Sequence, residues 1–144
     1  MNVYFQENGN LVPGIHLMTI EELEEKFAFN NWRKKLFEGL KLAISHLLAC
    51  NCKTVFIDGS FVTTKETPGD FDACWDATDV NIPLLLSDYG TLADFDNDRK
   101  NQKLKYLGEL FVAQAEASPY DIFIDFFQKD RDGAPKGIVR INLI

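Results

Sequence analysis

The chain has 144 residues, of which 46% are hydrophobic and 12% aromatic, and this length and composition predict a single domain, residues 1–144, with a filled apolar core. Its formal net charge of −7 argues against general DNA binding, because a phosphate backbone requires a basic face. No apolar run approaches the roughly 20 residues that a helix needs to cross a bilayer, so no membrane association is expected.

The first half of the chain predicts two helices followed by two strands. Thr19, with Glu22 three positions later, is a capping box that opens a short helix, and leucines at helical spacing predict a longer one after it. The predicted elements are an irregular segment over residues 1–18, helices over 20–27 and 32–49, and strands over 54–58 and 71–75.

The second half predicts a helix and a closing hairpin. Leu104, Leu107 and Phe111 recur at helical spacing and predict a long helix over residues 99–117. The remaining predicted elements are a turn of helix or a buried loop at residues 82–86 and two strands over 120–128 and 137–143, joined by a turn-rich loop. This element order predicts an α+β fold, with helices packed on a small mixed β-sheet.

One short stretch carries most of the functional information. Gly59 and Ser60 follow the first strand, and Asp70 and Asp72 lie at the next. Glycine lets the backbone approach a ligand closely, and the serine hydroxyl and amide can both donate to a phosphate. Two aspartates separated by one residue lie on one face of a strand. Such carboxylates suit Mg²⁺ (or Mn²⁺), which completes its coordination with substrate phosphates.

With its flanking strands, this stretch resembles the signature of the DNA polymerase β-like nucleotidyltransferase superfamily. The resembling segments are Val55–Ser60 and Asp70–Trp75, about a sixth of the chain. Three further segments, at residues 13–16, at 59–65 and at 126–128 with 136–138, resemble a small uncharacterised nucleotidyltransferase-like family of bacterial and phage genomes. The resemblance implies a minimal nucleotidyltransferase-like fold, with Asp70 and Asp72 as catalytic metal ligands and Gly59 and Ser60 as nucleotide-binding residues.

A complete metal site of this kind requires a third carboxylate on a neighbouring strand. Asp125 is the candidate, because an aspartate within the apolar run 122–127 is costly to bury unless it is paired, hydrogen-bonded or metal-bound. Asp121 shares its strand face and is the alternative. A partly exposed strand aspartate without a catalytic role is equally consistent with the pattern.

Cations in two places are candidate nucleotide-binding residues. Lys65 lies between the Gly-Ser turn and the aspartates, where it could meet a triphosphate, although members of the superfamily often place an arginine soon after the serine. Arg99 and Lys103 belong to a basic cluster, with Lys100 and Lys105, at the start of a predicted helix, where the helix dipole favours anions. The alternative for each is a solvated surface side chain.

Three functions remain open on these observations. The first is a Mg²⁺-dependent nucleotidyltransferase that transfers a nucleoside monophosphate from a nucleoside triphosphate to a hydroxyl of a protein or RNA. The resemblance implies that such small proteins often act with a partner chain, in toxin–antitoxin or phage-defence modules. The second is a catalytically inactive module that binds a nucleotide, RNA or protein partner. The third is an interaction or immunity protein in which the paired aspartates are incidental.

The cellular location is expected to be the cytoplasm. The first ten residues lack the basic-then-apolar order of a secretory signal, and the three cysteines have no zinc-site spacing. Cys74 shares a strand face with Asp72 and could approach the site, while His16 has no role that the pattern identifies.

Overall fold

A five-stranded mixed sheet organises residues 4–144, the part of the chain that the computed structural model describes. The strands are β1 (Gly14–Leu17), β2 (Thr54–Asp58), β3 (Phe71–Trp75), β4 (Gly108–Val112) and β5 (Gly137–Asn142). The helices are α1 (Ile20–Phe27), α2 (Asn31–Ala49), α3 (Ile82–Asp88), α4 (Asp96–Tyr106) and α5 (Phe123–Phe126). Single 3₁₀ turns lie at Gly59–Val62 and Gly90–Ala93. The predicted α+β class, with helices on a small mixed sheet, is confirmed.

The strands are ordered β1-β5-β2-β3-β4 across the sheet. β1 runs parallel to β5 and β3 parallel to β4, whereas β2 is antiparallel to both of its neighbours. β3 is therefore flanked by the strand that precedes it and by the strand that follows it in the chain. Residues on all three strands can meet across one face of the sheet.

One face of the sheet carries the main core. Val55, Ile57, Ala73 and Trp75 on the central strands are at most 1% exposed and pack in one cluster with the apolar stripes of α1 and α2. The predicted capping box at Thr19 and Glu22 is present at the start of α1. Because side chains alternate along a strand, Asp58 and Asp72 lie on the opposite face, where a smaller apolar cluster leaves part of the surface uncovered.

The helix predicted over residues 99–117 is wrong in its second half. α4 ends at Tyr106, because Leu107 has a left-handed backbone with φ +64°. Gly108 then begins β4, and a Cβ at Gly108 would clash with the ring of Phe71 on the neighbouring strand. The apolar residues expected on a helix are therefore divided between α4 and an edge strand of the sheet.

The strand predicted over residues 120–128 and the closing hairpin are also wrong. Residues Phe123–Phe126 form α5 instead, and β5 lies between β1 and β2. Phe123, Phe126 and Phe127 pack on one another at the i, i+3, i+4 spacing of a helix, which overrides the alternating pattern of the same residues.

The predicted irregular N-terminal segment also contains β1, and its first three residues lie outside the described part of the chain. Residues 82–86, expected as a turn of helix or a buried loop, belong to α3. Within residues 4–144, no helix has both the length and the apolar character required to cross a bilayer.

Candidate active site

Three carboxylates form a row across the adjacent strands β2, β3 and β4. Asp58 at the end of β2 is the register partner of Asp72 on β3, and Asp72 is in turn the register partner of Glu109 on β4. Register partners project from the same face, so the three side chains lie side by side. Like charges directly opposite one another destabilise a sheet. The row therefore needs protons or cations to be stable in the folded protein, and groups perturbed in this way cluster at functional sites.

The absence of a side chain at Gly59 leaves room for the Asp72 carboxylate. A Cβ built on Gly59 would collide with Oδ2 of Asp72 and lie 3.0 Å from its Cγ. The φ of Gly59, +76°, is also one that other residues rarely adopt. The sharp turn from β2 into the following 3₁₀ turn therefore strongly favours glycine, and the Asp72 carboxylate fills the space that a side chain would need.

The surroundings of Asp72 favour the protonated form of its carboxyl group. Burial, the hydrogen bond to Glu109 and the neighbouring carboxylates together raise the pKa of Asp72 to about 9. Protonated Asp72 therefore donates to Glu109. Burial works to raise the pKa of Glu109 as well, but its hydrogen bonds with Asp72 and Lys103 outweigh that effect, and its pKa is lowered.

Asp58 is the most buried member of the row, at 3% exposure. Nζ of Lys136, in the segment just before β5, lies 3.1 Å from its Oδ1; this is an ion pair without the alignment of a hydrogen bond. Burial raises the pKa of Asp58, although Lys136 and the amide of Gly59 act in the opposite direction. Lys136 therefore brings a cation to the β2 end of the row.

Asp70 lies just before β3 and is half-buried. Burial, followed by the nearby charge of Glu109, raises its pKa, while Lys103 and Arg99 act against that shift. Asp70 also acts to raise the pKa of Asp72, so the two predicted metal ligands are electrostatic neighbours. Their positions differ, because Asp72 lines the cleft that opens over the row and Asp70 does not.

Two of the predicted basic residues meet the other end of the row. Nη2 of Arg99 lies 3.2 Å, and Nζ of Lys103 3.0 Å, from Oε1 of Glu109. Both cations also pair with exposed Asp98. Their neighbours Lys100 and Lys105 are exposed. The structure thus brings Arg99 and Lys103 to the carboxylates, where they neutralise Glu109.

A cleft of about 850 Å³ opens over the row, a volume within the range of small-molecule sites. Asp58, Asp72 and Glu109 line it together with Gly59, Ser60 and Lys65. It is also lined by four phenylalanines and by cations of the 129–136 segment. Cys74, which could have approached this site, is fully buried in the smaller apolar cluster, and His16 lies on edge strand β1.

Arg33 holds the loop that joins the Gly-Ser turn to the aspartates. Its guanidinium is fully buried and donates to the backbone carbonyls of four loop residues: Ser60 (3.2 Å), Phe61 (2.6 Å), Thr63 (2.9 Å) and Lys65 (2.9 Å). It also donates to the backbone carbonyl of Phe27, the last residue of α1. Burial lowers its pKa to about 10. The role of Arg33 is therefore structural, because its guanidinium donors are already bonded to backbone carbonyls.

Sequence reasoning missed Arg33, although a signal exists. The residue lies at i, i+3, i+4 and i+7 spacing with the buried apolar side chains of α2, and a charge in an apolar stripe requires partners. Neighbouring Asn30 and Trp32 also donate to loop carbonyls, at Glu66 (2.7 Å) and Pro68 (2.5 Å). The start of α2 thus fixes the whole connection that leads to Asp70.

The expected position of the third carboxylate requires a correction. Asp125 lies exposed on α5 rather than on a strand, and it does not line the cleft. Its alternative, Asp121, does line the cleft, but it pairs with Lys129 at 3.2 Å and lies outside the sheet. The carboxylate on the strand next to β3 is Glu109, which sequence reasoning assigned to a helix.

The carboxylate oxygens of the row are the type of ligand that a hard divalent cation prefers. Asp72 and Glu109 are hydrogen-bonded to one another, and a metal ion can replace the proton between two such carboxyl groups. Among the described residues, no three acidic, histidine or cysteine side chains converge into a ready metal cage. Mg²⁺ does not require one, because it binds through one or two carboxylates and keeps waters or phosphates as its other ligands.

The fold and the cleft define the class of protein: a small α+β protein with a row of carboxylates on three adjacent strands beside a glycine turn. Residues 3–142 match the family described as a family of unknown function, DUF6932. The chain therefore belongs to DUF6932. No curated protein and no solved structure matches it.

Proposed function

We propose that this protein is a metal-dependent nucleotidyltransferase, which takes a nucleoside monophosphate from a nucleoside triphosphate and attaches it to a hydroxyl of a protein or RNA. The observation that carries the proposal is the row of Asp58, Asp72 and Glu109 beside Gly59. The cleft over that row has the size of a small-molecule site. The three cysteines are free and buried, in keeping with a reducing cytoplasm.

In this proposal, Asp72 and Glu109 hold Mg²⁺ or Mn²⁺, with Asp70 beside them. The metal would neutralise charge on the triphosphate and on the leaving group. The acceptor oxygen bonds to the α-phosphorus, the bond from that phosphorus to the bridging oxygen breaks, and pyrophosphate leaves. The acceptor proton passes to a carboxylate of the row or to water. Ser60 and Lys65, which line the cleft, would bind the phosphates.

A catalytically inactive binding module is the second candidate. The observation in its favour is that both ends of the row are already neutralised, by Lys136 at Asp58 and by Arg99 and Lys103 at Glu109. In an enzyme, these cations would move from the carboxylates to the phosphates when the metal and the triphosphate enter. In a binding module they would stay.

The test is incubation of the protein with each α-labelled triphosphate, Mg²⁺ and cell extract, beside the Asp70→Ala/Asp72→Ala double variant. An enzyme transfers label to a macromolecule and releases pyrophosphate, and the double variant does neither. A binding module is stabilised by nucleotide without transferring label. An interaction protein shows neither effect and retains one stoichiometric partner.

A further inference from the structure

The cleft contains a continuous group of aromatic rings beside the carboxylate row. Phe111 follows Glu109 by two positions on the same face of β4, about 7 Å along the strand. The ring of Phe123 stacks on it, with centroids 4.4 Å apart, and Phe126 meets Phe123 edge to face at 6.4 Å. These three rings, with Phe127, line the cleft.

Phe126 differs from the other rings of this group in its exposure. It is 44% exposed, whereas Phe127 beside it is 8% exposed and buried in the smaller apolar cluster. Single exposed phenylalanines are common on protein surfaces. Phe126 is distinguished by its position, because it extends a packed aromatic group into a cleft whose floor is acidic.

A ligand that fits this cleft has a polar, metal-binding part and a planar apolar part. The row of Asp72 and Glu109 would meet the first part through a cation, and the rings beginning at Phe111 would meet the second. A nucleotide has this division between its phosphates and its base. Bases stack on aromatic side chains because every base has a π-face.

We infer that Phe126 is the platform on which the base of the bound nucleotide stacks, so that the site prefers purine over pyrimidine triphosphates. The preference follows from the larger stacking surface of a purine. This inference rests on the proposed function, since it assumes that the phosphates lie at the carboxylate row.

The experiment compares the binding of Mg–ATP, Mg–UTP and Mg–tripolyphosphate by calorimetry. The variants are Phe126→Ala and Phe126→Trp, and the matched control is Tyr120→Ala, since Tyr120 is 92% exposed and does not line the cleft. Phe126→Ala is expected to weaken Mg–ATP binding by about 5- to 100-fold and to leave Mg–tripolyphosphate binding unchanged. Phe126→Trp keeps the affinity for Mg–ATP, and Tyr120→Ala leaves the binding of both ligands unaffected.

The outcomes separate this inference from the proposed function. If the wild type binds Mg–ATP no more tightly than Mg–tripolyphosphate, or UTP as tightly as ATP, the inference is overturned and the metal–triphosphate site stands. The same holds if Phe126→Ala leaves Mg–ATP binding unchanged or weakens both ligands equally. If the wild type binds neither ligand, the proposed function fails as well.

Discussion

Gly59 and Asp72 lie so close that the carboxylate of Asp72 occupies the volume a side chain at position 59 would need. The turn after β2 and the central carboxylate of β3 are thus a single structural unit. This contact links the two halves of the sequence motif, which are separated by the Arg33-bound loop.

Replacing Gly59 with alanine should therefore damage the site as well as the turn. The positive φ and the collision with Asp72 should together cost about 1–3 kcal/mol of unfolding free energy, and the displaced carboxylate should abolish label transfer by the folded protein. Urea denaturation and the labelling assay measure the two effects.

The control is Gly14→Ala, where φ is +117° but a Cβ meets nothing within 4 Å. This variant should lose stability and retain label transfer. Equal transfer by the two variants would contradict the proposed role of this contact.

Glu109 and Asp125 give opposite expectations for the third carboxylate. Glu109→Gln removes a negative charge from the row and should lower Mg²⁺-dependent label transfer by about 10- to 100-fold or more. Asp125→Asn changes an exposed side chain outside the cleft and should leave transfer within about twofold of wild type. Rates measured over a series of Mg²⁺ concentrations decide the matter, and a defect confined to Asp125→Asn would reverse the assignment.

Glu109 and Asp125 show which parts of the site can be predicted from the sequence and which cannot. Asp70, Asp72 and Gly59 could be placed from the sequence, because strands β2 and β3 are short apolar runs bounded by turn residues. Glu109 could not, because the helical spacing of Leu104, Leu107 and Phe111 runs from α4 into β4, and only the left-handed backbone of Leu107 and the pairing with β3 separate the two elements. Asp125 was misplaced because residues 122–127 fit both strand and helix periods.

Arg33 should be essential for stability. Arg33→Ala removes the donor to the buried carbonyls of Phe27 and Phe61 and to part-buried loop carbonyls. Each buried unsatisfied group costs about 1–3 kcal/mol, so we expect a loss of at least about 3 kcal/mol in urea denaturation. Arg33→Lys should not restore it, because one ammonium cannot reach carbonyls on two segments in the geometry of a guanidinium. Arg140→Ala is the matched control, since Arg140 is exposed, and it should change stability by less than about 0.5 kcal/mol. A mild effect of Arg33→Ala would mean that the loop is held by other contacts.

His46 should make stability depend on pH below neutrality. Burial, followed by the charge of Lys105, lowers its pKa below 6.5, and its Nδ1 lies 2.8 Å from the hydroxyl of Tyr106. The neutral ring can accept from that hydroxyl. The unfolded chain therefore takes up a proton at a higher pH than the folded protein. The stabilisation is complete above pH 6.5 and is lost as pH falls through the folded-state pKa.

Thermal unfolding between pH 7 and pH 5 tests this expectation with His46→Gln. The melting temperature of the wild type should fall more steeply than that of the variant over this range. The variant His16→Gln, at a histidine that does not contact Tyr106, controls for the loss of a histidine. Parallel curves for wild type and His46→Gln would show that His46 does not contribute.

The most direct test of the carboxylate row is a crystal structure of the protein with Mn²⁺ and a non-hydrolysable ATP analogue, with anomalous scattering used to locate the metal. The account predicts an anomalous peak within coordination distance of Asp72 and Glu109, in contact with phosphate oxygens, and no such peak in Asp72→Asn crystals. Manganese bound elsewhere, or nucleotide bound away from the row with Arg99 and Lys103 still paired to Glu109, would contradict it.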